Sequence, residues 1–277
     1  MADAKDGWTK DQIKQFSGLT GAIVSNMTGI PTDAFRVRVA QDLTSKHSLT
    51  YHLKDVFKSP QAAFVGGFAR ISMKQIATTL NLYVPADVRE SYPFLSAFAV
   101  GLGFSPILNV PRVFQLGKIG GVAYPDSFRQ YFSSAAGLKS YASNTMIFGP
   151  GEGLRMMMCF GFKDFLMPRI GGKKDVNEIS SIPTYCGSMA MIAGPAVALV
   201  ETTFALTTET VSTIQAKQAA AEAAGAEAKS FGAVLRETIT PSYTGRCFVS
   251  LCFKNICANT PLFWIMFMSD FYARKAP

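Results

Sequence analysis

The sequence predicts an all-α protein that crosses a membrane several times. Of its 277 residues, 48% are hydrophobic and 17% are charged, whereas soluble domains usually carry about 25% charged residues. The longest apolar segments are 94–110, 182–206 and 251–268, and Gly, Ser, Thr or Pro interrupts each of them. Polar residues that face the inside of a helix bundle explain such interruptions. The composition therefore favours a polytopic membrane protein over a soluble domain with one anchor.

The segment from Gly18 to Gln41 combines small residues with a charged end. Its first half is rich in Gly, Ala, Ser and Thr, which let helices pack closely inside a membrane. Its second half contains Pro31, Asp33 and Arg36, and the acid and the base share one helical face because they are three residues apart. This Pro-x-Asp-x-x-Arg pattern resembles the signature of the mitochondrial carrier family, in which it ends each odd-numbered transmembrane helix.

Other segments resemble the same family in the order that three repeats require. Phe64-Val65-Gly66 resembles the aromatic-x-Gly start of an even-numbered helix, and Pro111 takes the signature position of the third helix. Residues 137–166 resemble the fourth helix. Thr207-Thr208-Glu209 stands where the fifth helix would carry Pro-x-Asp. The anchors recur at intervals of roughly 80 to 105 residues, which is typical of a three-unit array.

The resemblance implies an all-α membrane protein with six transmembrane helices in three pseudo-symmetric two-helix repeats, each with a short matrix helix. The repeats are 1–91, 92–175 and 176–277, and together they form one integral domain. The first helix is expected over 17–41 and the last from 248 to about 271. The Ala/Glu/Lys-rich segment 216–230 is expected to be a solvated helical insertion. The family further implies a multi-pass location in the mitochondrial inner membrane.

Carriers work by alternating access, in which two rings of salt bridges close opposite ends of a central cavity. The matrix ring keeps these residues: Pro31, Asp33, Arg36, Pro111 and Glu209. The opposite ring keeps these residues: Arg89, Asp164 and Asp270. Uncharged side chains occupy the following ring positions: Val113, Leu116, Met167, Ser212 and Ala273.

Each ring therefore retains one base, and at most one standard bridge is expected in each. At the matrix end this bridge would join Glu209 to Arg36. A shifted register would bring in a neighbouring base such as Lys163. The alternative is that Asp33 and Arg36 are an inherited helix-end pair without a gating role.

The resemblance also places substrate contact points seven residues after each even-helix anchor, and none of the three residues there is basic. Most substrates of the family are anions, so no familiar substrate class follows. Basic residues lie three or four positions away on the same helical faces. They either hold a phosphate or carboxylate or extend to lipid headgroups. The candidate cavity residues are these: Arg70, Met73, Lys74, Gly151, Glu152, Arg155, Lys254 and Cys257.

Several other functions find no support in the sequence. The net charge of +8 is spread between apolar segments, which indicates loop charges and contacts with anionic lipid instead of nucleic-acid binding. No catalytic set or metal-ligand spacing is recognisable, and neither an enzyme nor a cofactor is expected. We expect the five cysteines to be reduced residues that contribute to packing. We expect His47 and His52 to lie on the surface. The glycine-rich run 149–153 resembles a phosphate loop, but no strand precedes it, so helix packing is the expectation.

Two functions remain open. One is an accessory subunit of a larger inner-membrane complex, of the respiratory-chain type, which the degenerate rings favour. The other is an exchanger of a small anionic metabolite, which the intact first signature and the bases near the contact points favour. In either case membrane lipids are partners, because the family binds cardiolipin at helix starts such as Gly66 and Gly67.

Overall fold

The computed structural model describes residues 9–58, 67–119, 122–166, 169, 179–223, 232–233, 236 and 239–275. It is all-α, and the described residues contain no β-strand. The helices are α1 (Lys10–Gln41), α2 (Leu49–Phe57), α3 (Gly67–Leu82), α4 (Ala86–Ser91), α5 (Pro93–Gly103), α6 (Ser105–Ile119), α7 (Tyr124–Phe132), α8 (Ala135–Met156), α9 (Phe162–Leu166), α10 (Ile182–Ala223) and α11 (Pro241–Lys275). A π-helical turn, Met157–Gly161, joins α8 to α9.

Six long helical segments follow one another around a ring. They are α1, α3, the pair α5 and α6, the run from α8 to α9, α10, and α11. Each segment packs against the next one in sequence, and α11 returns to pack along α1. The short helices α2 and α7 contact α1 and α6 respectively, at the ends of the first and third segments. The interior of the ring is therefore walled by residues from all parts of the chain.

One described helix is long and apolar enough to cross a membrane by itself, over Ile182–Thr207. A second crossing is possible if α5 and α6 form one broken span, since the two are bent by 62°. Pro106 lies in the first turn of α6 directly after the bend, where its missing N–H favours the start of a new helix. The apolar segment 251–268 lies in α11, which does not meet the criterion. The six-span arrangement thus stays a prediction.

Two helices begin earlier than predicted. The first starts at Lys10 instead of residue 17, because Thr9 forms a capping box with Gln12: the Thr9 hydroxyl accepts from the Gln12 N–H, and the Gln12 side chain accepts from the Thr9 N–H. The last starts at Pro241 instead of residue 248, and the Thr240 hydroxyl accepts from the Tyr243 N–H. The proposed insertion begins as a continuation of α10 to Ala223, and residues 224–230 lie outside the described residues.

The glycine-rich run 149–153 lies inside α8, as the helix-packing interpretation predicts. Its glycines are buried, and α5 approaches α8 so closely that side chains are excluded on both sides. A Cβ atom on Gly101 would lie 2.7 Å from the Glu152 carbonyl oxygen and 2.7 Å from the Gly153 Cα. A Cβ atom on Gly153 would meet the ring of Phe98 at 2.9 Å. This contact fixes the distance of α8 from its neighbour.

Gly101→Ala is expected to lower the free energy of unfolding by about 2 kcal/mol, because backbone atoms of α8 must shift to admit the methyl group. Gly103 provides a matched control two residues away, since nothing lies within 4 Å of its hypothetical Cβ atom. Gly103→Ala should be neutral or stabilising by up to about 1 kcal/mol through helix propensity. Thermal unfolding in detergent measures both. Equal effects of the two substitutions would contradict the close approach of α5 and α8.

Candidate functional site

A partly open cavity lies inside the helix ring. Its volume is about 50 Å³, which holds a few water molecules or one small solute. Alanine residues from α1 and α3 form one side of it. The polar groups of the lining come from α8, α10 and α11, and they are Glu152, Arg155, Glu201, Lys254, Asn255 and Asn259.

The α8 wall carries an ion pair. Arg155 donates from Nη2 to Glu152 Oε2, as the spacing of three residues within one helix allows. The same Nη2 atom lies 3.7 Å from the sulfur of Met73 on α3. The side chain of Glu152 is 1% exposed, and its Oε1 atom has no hydrogen-bond partner among the described residues. One oxygen of a buried carboxylate is thus left to be satisfied by something inside the cavity.

The wall between α10 and α11 is held by two amide side chains. Asn259 donates from Nδ2 to Glu201 Oε2 at 2.7 Å, and Asn255 donates from Nδ2 to the Thr202 hydroxyl at 3.0 Å. Each member of these pairs is at least 95% buried. Lys254 lies beside them on α11 and is 3% exposed. Charged groups so deep in a bundle are costly and mark functional positions in membrane proteins.

The predicted cavity residues divide into three groups. Glu152, Arg155 and Lys254 line the cavity, and Met73 contacts Arg155 but is not among the lining residues. Two other candidates are not among the lining residues. Gly151 is buried in α8 outside the lining, and Cys257 faces away, because α11 presents residues 254, 255, 258 and 259 on one face. The carbonyl oxygen of Cys257 instead accepts from the Thr28 hydroxyl at 2.6 Å. The side chains of Arg70 and Lys74 lie outside the described residues.

Sequence reasoning missed three residues of the site: Glu201, Asn255 and Asn259. A signal for Glu201 is present, because it is the single acid inside the most apolar helical segment, 182–206. An ionisable residue in such a segment is a functional candidate by default. The two asparagines carry no comparable signal, since their role depends on which face of α11 meets α10.

The end of the ring near Asp33 is closed by a mixed network. Arg36 donates from Nε to Asp33 Oδ1 at 3.0 Å, and Gln115 of α6 donates from Nε2 to Asp33 Oδ2. Asp33 and Arg36 are 3% and 4% exposed. Val113 and Leu116 are buried in the packing around this network. The amide of Gln115 therefore links the first segment to the third at this end.

The remaining residues of the matrix ring are described in part. Pro31 and Pro111 lie inside α1 and α6. The expected bridge from Glu209 to Arg36 cannot be followed, because the side chain of Glu209 lies outside the described residues. Arg112, next to the signature proline, places its guanidinium 4.5 Å from the centre of the Phe148 ring.

The opposite end is closed by a lysine between two acids. Lys163 Nζ lies 3.0 Å from Asp164 Oδ1 and 3.0 Å from Asp270 Oδ2, which joins α9 to α11. One of these two contacts, that with Asp270, joins different segments, and its base is Lys163, the neighbour that a shifted register would bring in, instead of Arg89. Arg89 instead donates from Nε to the carbonyl oxygen of Val84 at 3.1 Å.

His52 is buried, and the prediction of a surface histidine is wrong for it. It contacts Asp42, the residue after α1, through Nε2 at 3.1 Å. Asp42 also accepts from the backbone N–H groups of Lys46 and His47 at 3.1 and 2.9 Å, and from Arg246 of α11 at 3.3 Å. Burial by itself raises the pKa of Asp42, but these hydrogen bonds outweigh it and hold that pKa well below its usual range.

The structure adds little on metals and lipids. The described residues contain no group of three or more His, Cys, Asp or Glu side chains that could hold a metal ion. None of the five cysteines, all of them described, forms a disulfide. Gly67 is the first residue of α3, and Gly66 lies outside the described residues, so the lipid site at this helix start stays a prediction.

The chain matches no protein-family model, no curated protein and no solved structure.

Proposed function

We propose that the chain is a carrier-like protein of the mitochondrial inner membrane that serves as an accessory subunit of a larger membrane complex, of the respiratory-chain type. The observation that carries this proposal is the way the Asp33 end is closed. Gln115 of repeat two donates to Asp33 there, and Val113 and Leu116, which occupy the ring positions of repeat two, are buried. A structural role is compatible with these fixed contacts.

Alternating access requires that salt bridges on one end form while those on the other end break. An amide–carboxylate hydrogen bond surrounded by buried apolar side chains supplies less charge complementarity than a ring of salt bridges to which all three repeats contribute an acid and a base. At the opposite end Lys163 already satisfies two acids. Both ends are held at once, which favours a scaffold over a moving gate.

The outer face of α10 supplies a surface for a neighbouring subunit or lipid. Its exposed apolar residues include Met191, Ile192, Leu199 and Phe204. In this proposal the chain spans the membrane six times, as its carrier resemblance implies, and binds cardiolipin or another phospholipid at its helix starts. It has no catalytic role, no cofactor and no nucleic-acid partner.

A second function, exchange of a small metabolite, is favoured by one observation. Four charged side chains are among the described residues that line the central cavity, and charges inside a membrane bundle are retained mainly where they contact substrates or ions. Arg155 and Lys254 would then contact the carboxylate or phosphate of an anionic metabolite.

The subunit proposal predicts co-migration with a complex. In native gels of membranes solubilised in a mild detergent, the protein is expected to run far above its own 30.0 kDa, and to disappear from that position when the complex is lost. Reconstituted vesicles should show no saturable solute exchange. Migration as a single small species, together with exchange that Arg155→Ala abolishes, would favour the transport function instead.

A further inference from the structure

A groove on the surface of the ring separates the start of α1 from the end of α11. Its volume is about 410 Å³, which is within the range of roughly 300–1,000 Å³ for sites that hold small ligands. Each helix contributes residues with the spacing i, i+3, i+4 and i+7, so one face of each helix forms one side of the groove. The residues that line it are Ile13, Phe16, Ser17, Thr20, Ile265, Met268, Ser269 and Tyr272.

The groove ends where the two helices come into close contact. A Cβ atom on Gly21 would lie 3.3 Å from side-chain atoms of both Leu262 and Ile265, so the glycine lets α11 approach α1 at this level. Farther along the pair, the Thr28 hydroxyl donates to the carbonyl oxygen of Cys257 at 2.6 Å. The groove therefore lies between the contact at Gly21 and the ends of the two helices.

The groove faces away from the central cavity, at the end of the ring that Lys163 closes. Ala22 lines the cavity, and the groove face of α1 lies on about the opposite side of that helix. Asp270, which binds Lys163, belongs to the same turns of α11 as the groove. Phe16 and Tyr272 are 56% and 45% exposed. The lipid sites that the carrier resemblance implies, at the start of α3, belong to the Asp33 end, so the groove is a separate feature.

We propose that this groove binds one acyl chain of an anionic phospholipid, whose headgroup lies at the ends of α1 and α11. The lining from Ile265 to Tyr272 covers about 10 Å of helix, which is about a third of the hydrocarbon thickness of a membrane. A helix of a neighbouring protein would occupy about 800 Å³ over this length, since a helix with its side chains is at least 10 Å wide. That is about twice the volume of the groove, whereas an unbranched acyl chain is thin enough to enter it.

The charge of the two helix ends favours an anionic headgroup. Lys10 is exposed one turn before Ile13, on the groove face of α1, and Arg274 is exposed close to Tyr272. The tyrosine ring suits the boundary between hydrocarbon and headgroups. By sequence, the acids Asp11 and Asp270 in residues 10–17 and 265–275 are outnumbered by the bases Lys10, Lys14, Arg274 and Lys275. Asp270 already binds Lys163 at 3.0 Å, so basic charge remains in excess.

Photo-crosslinking tests the groove with two lipids that carry a diazirine in one acyl chain. Phosphatidylglycerol has a net negative charge, and phosphatidylcholine is neutral as a whole. In the purified full-length protein, both sides of the groove, residues 13–20 and 265–272, should be labelled. Phosphatidylglycerol is expected to label them at least about fivefold more strongly, which is the factor that one base near a headgroup contributes. Equal labelling by the two lipids, or no label in either segment, would overturn the proposal.

A side chain that fills the groove locates the label. Ser17→Phe places an aromatic ring where the acyl chain would lie, and it should lower the labelling of both segments at least about tenfold. Ser72→Phe is the matched control, because Ser72 lines a second apolar groove of about 410 Å³ between α3, α6 and α7. This control should leave the labelling of 13–20 and 265–272 unchanged. Labelling that survives Ser17→Phe in a folded protein would contradict the assigned site.

Charge variants test the headgroup without changing the shape of the groove, and they remain informative if Ser17→Phe does not fold. Lys10→Gln and Arg274→Gln should each lower the preference for phosphatidylglycerol by about fivefold. Lys58→Gln is the control, since Lys58 is 68% exposed on α2, at the other end of the ring. A preference that both variants leave intact would overturn the role of the helix ends.

This inference rests on the membrane location in the proposed function and not on the subunit role. Release of the chain from membranes by alkaline carbonate would contradict the location itself, whereas a chain that stays in the membrane with an unlabelled groove contradicts only the lipid site. Labelling is therefore repeated in native membranes. A groove that is labelled in the purified protein but not in the native complex would be covered by a partner, which overturns the proposal for the assembled protein.

Discussion

Asp42→Ala is expected to lower the free energy of unfolding by about 4 kcal/mol, because it removes the shared acceptor of four hydrogen bonds. The donors come from the loop after α1, from His52 on α2 and from Arg246 on α11. The side chain of Asp42 is 9% exposed, so water does not replace these contacts. Arg246 and His52 would both be left without their carboxylate. The end of α1 would then lose the contacts that Asp42 makes with α2 and α11.

Thermal unfolding in detergent measures this effect, and a decrease in the melting temperature of about 10 °C is expected. Asp55→Ala is the matched control. Asp55 also joins α2 to α1, through Arg38, but its side chain is 37% exposed, so the loss should be at most about 1 kcal/mol. A similar effect of the two substitutions would show that Asp42 is an ordinary surface carboxylate.

The low pKa of Asp42 also makes its contribution dependent on pH. Since the pKa is lower in the folded state than the reference value of 3.8, the stabilisation is fully present above that value and is lost as the pH falls below it. The difference in stability between the wild type and Asp42→Asn should therefore be constant at neutral pH and narrow below about pH 4. A difference that stays unchanged down to pH 3 would contradict the assigned hydrogen bonds.

Lys163→Met is expected to lower the free energy of unfolding by about 3 kcal/mol, because two neighbouring carboxylates lose the cation between them. Lys163, Asp164 and Asp270 have side chains that are 14%, 13% and 18% exposed. Two acids at this depth repel each other once the ammonium group is removed. The link between α9 and α11, which closes this end of the ring, is lost at the same time.

Removing the two acids as well tests this explanation. The triple variant Lys163→Met, Asp164→Asn, Asp270→Asn should recover part of the lost stability, since no unpaired charge remains. Arg129→Met is a control at the exposed pair of Arg129 and Asp126, whose atoms are 3.7 Å apart, and it should cost less than about 1 kcal/mol. The interpretation fails if the triple variant is less stable than Lys163→Met alone.

Much of the helical structure could be predicted from the sequence. The apolar segment 182–206 predicts the core of α10, and Asp33 and Arg36 form the pair that a spacing of three residues in one helix predicts. The glycine-rich run 149–153 packs within a helix, as expected in the absence of a preceding strand. The early start of α1 could also have been predicted from the sequence, because Thr9 and Gln12 have the spacing of a capping box. These features depend on neighbours within about one helical turn.

The closing contacts and the cavity were decided only by the tertiary structure. Gln115 reaches Asp33 because α6 packs against α1 in one particular rotation, and Lys163 meets Asp270 because α9 lies against α11. Asn259 meets Glu201 across two helices. The physical reason is the same in each case: sequence spacing determines which residues share a helical face, and only packing determines which faces meet.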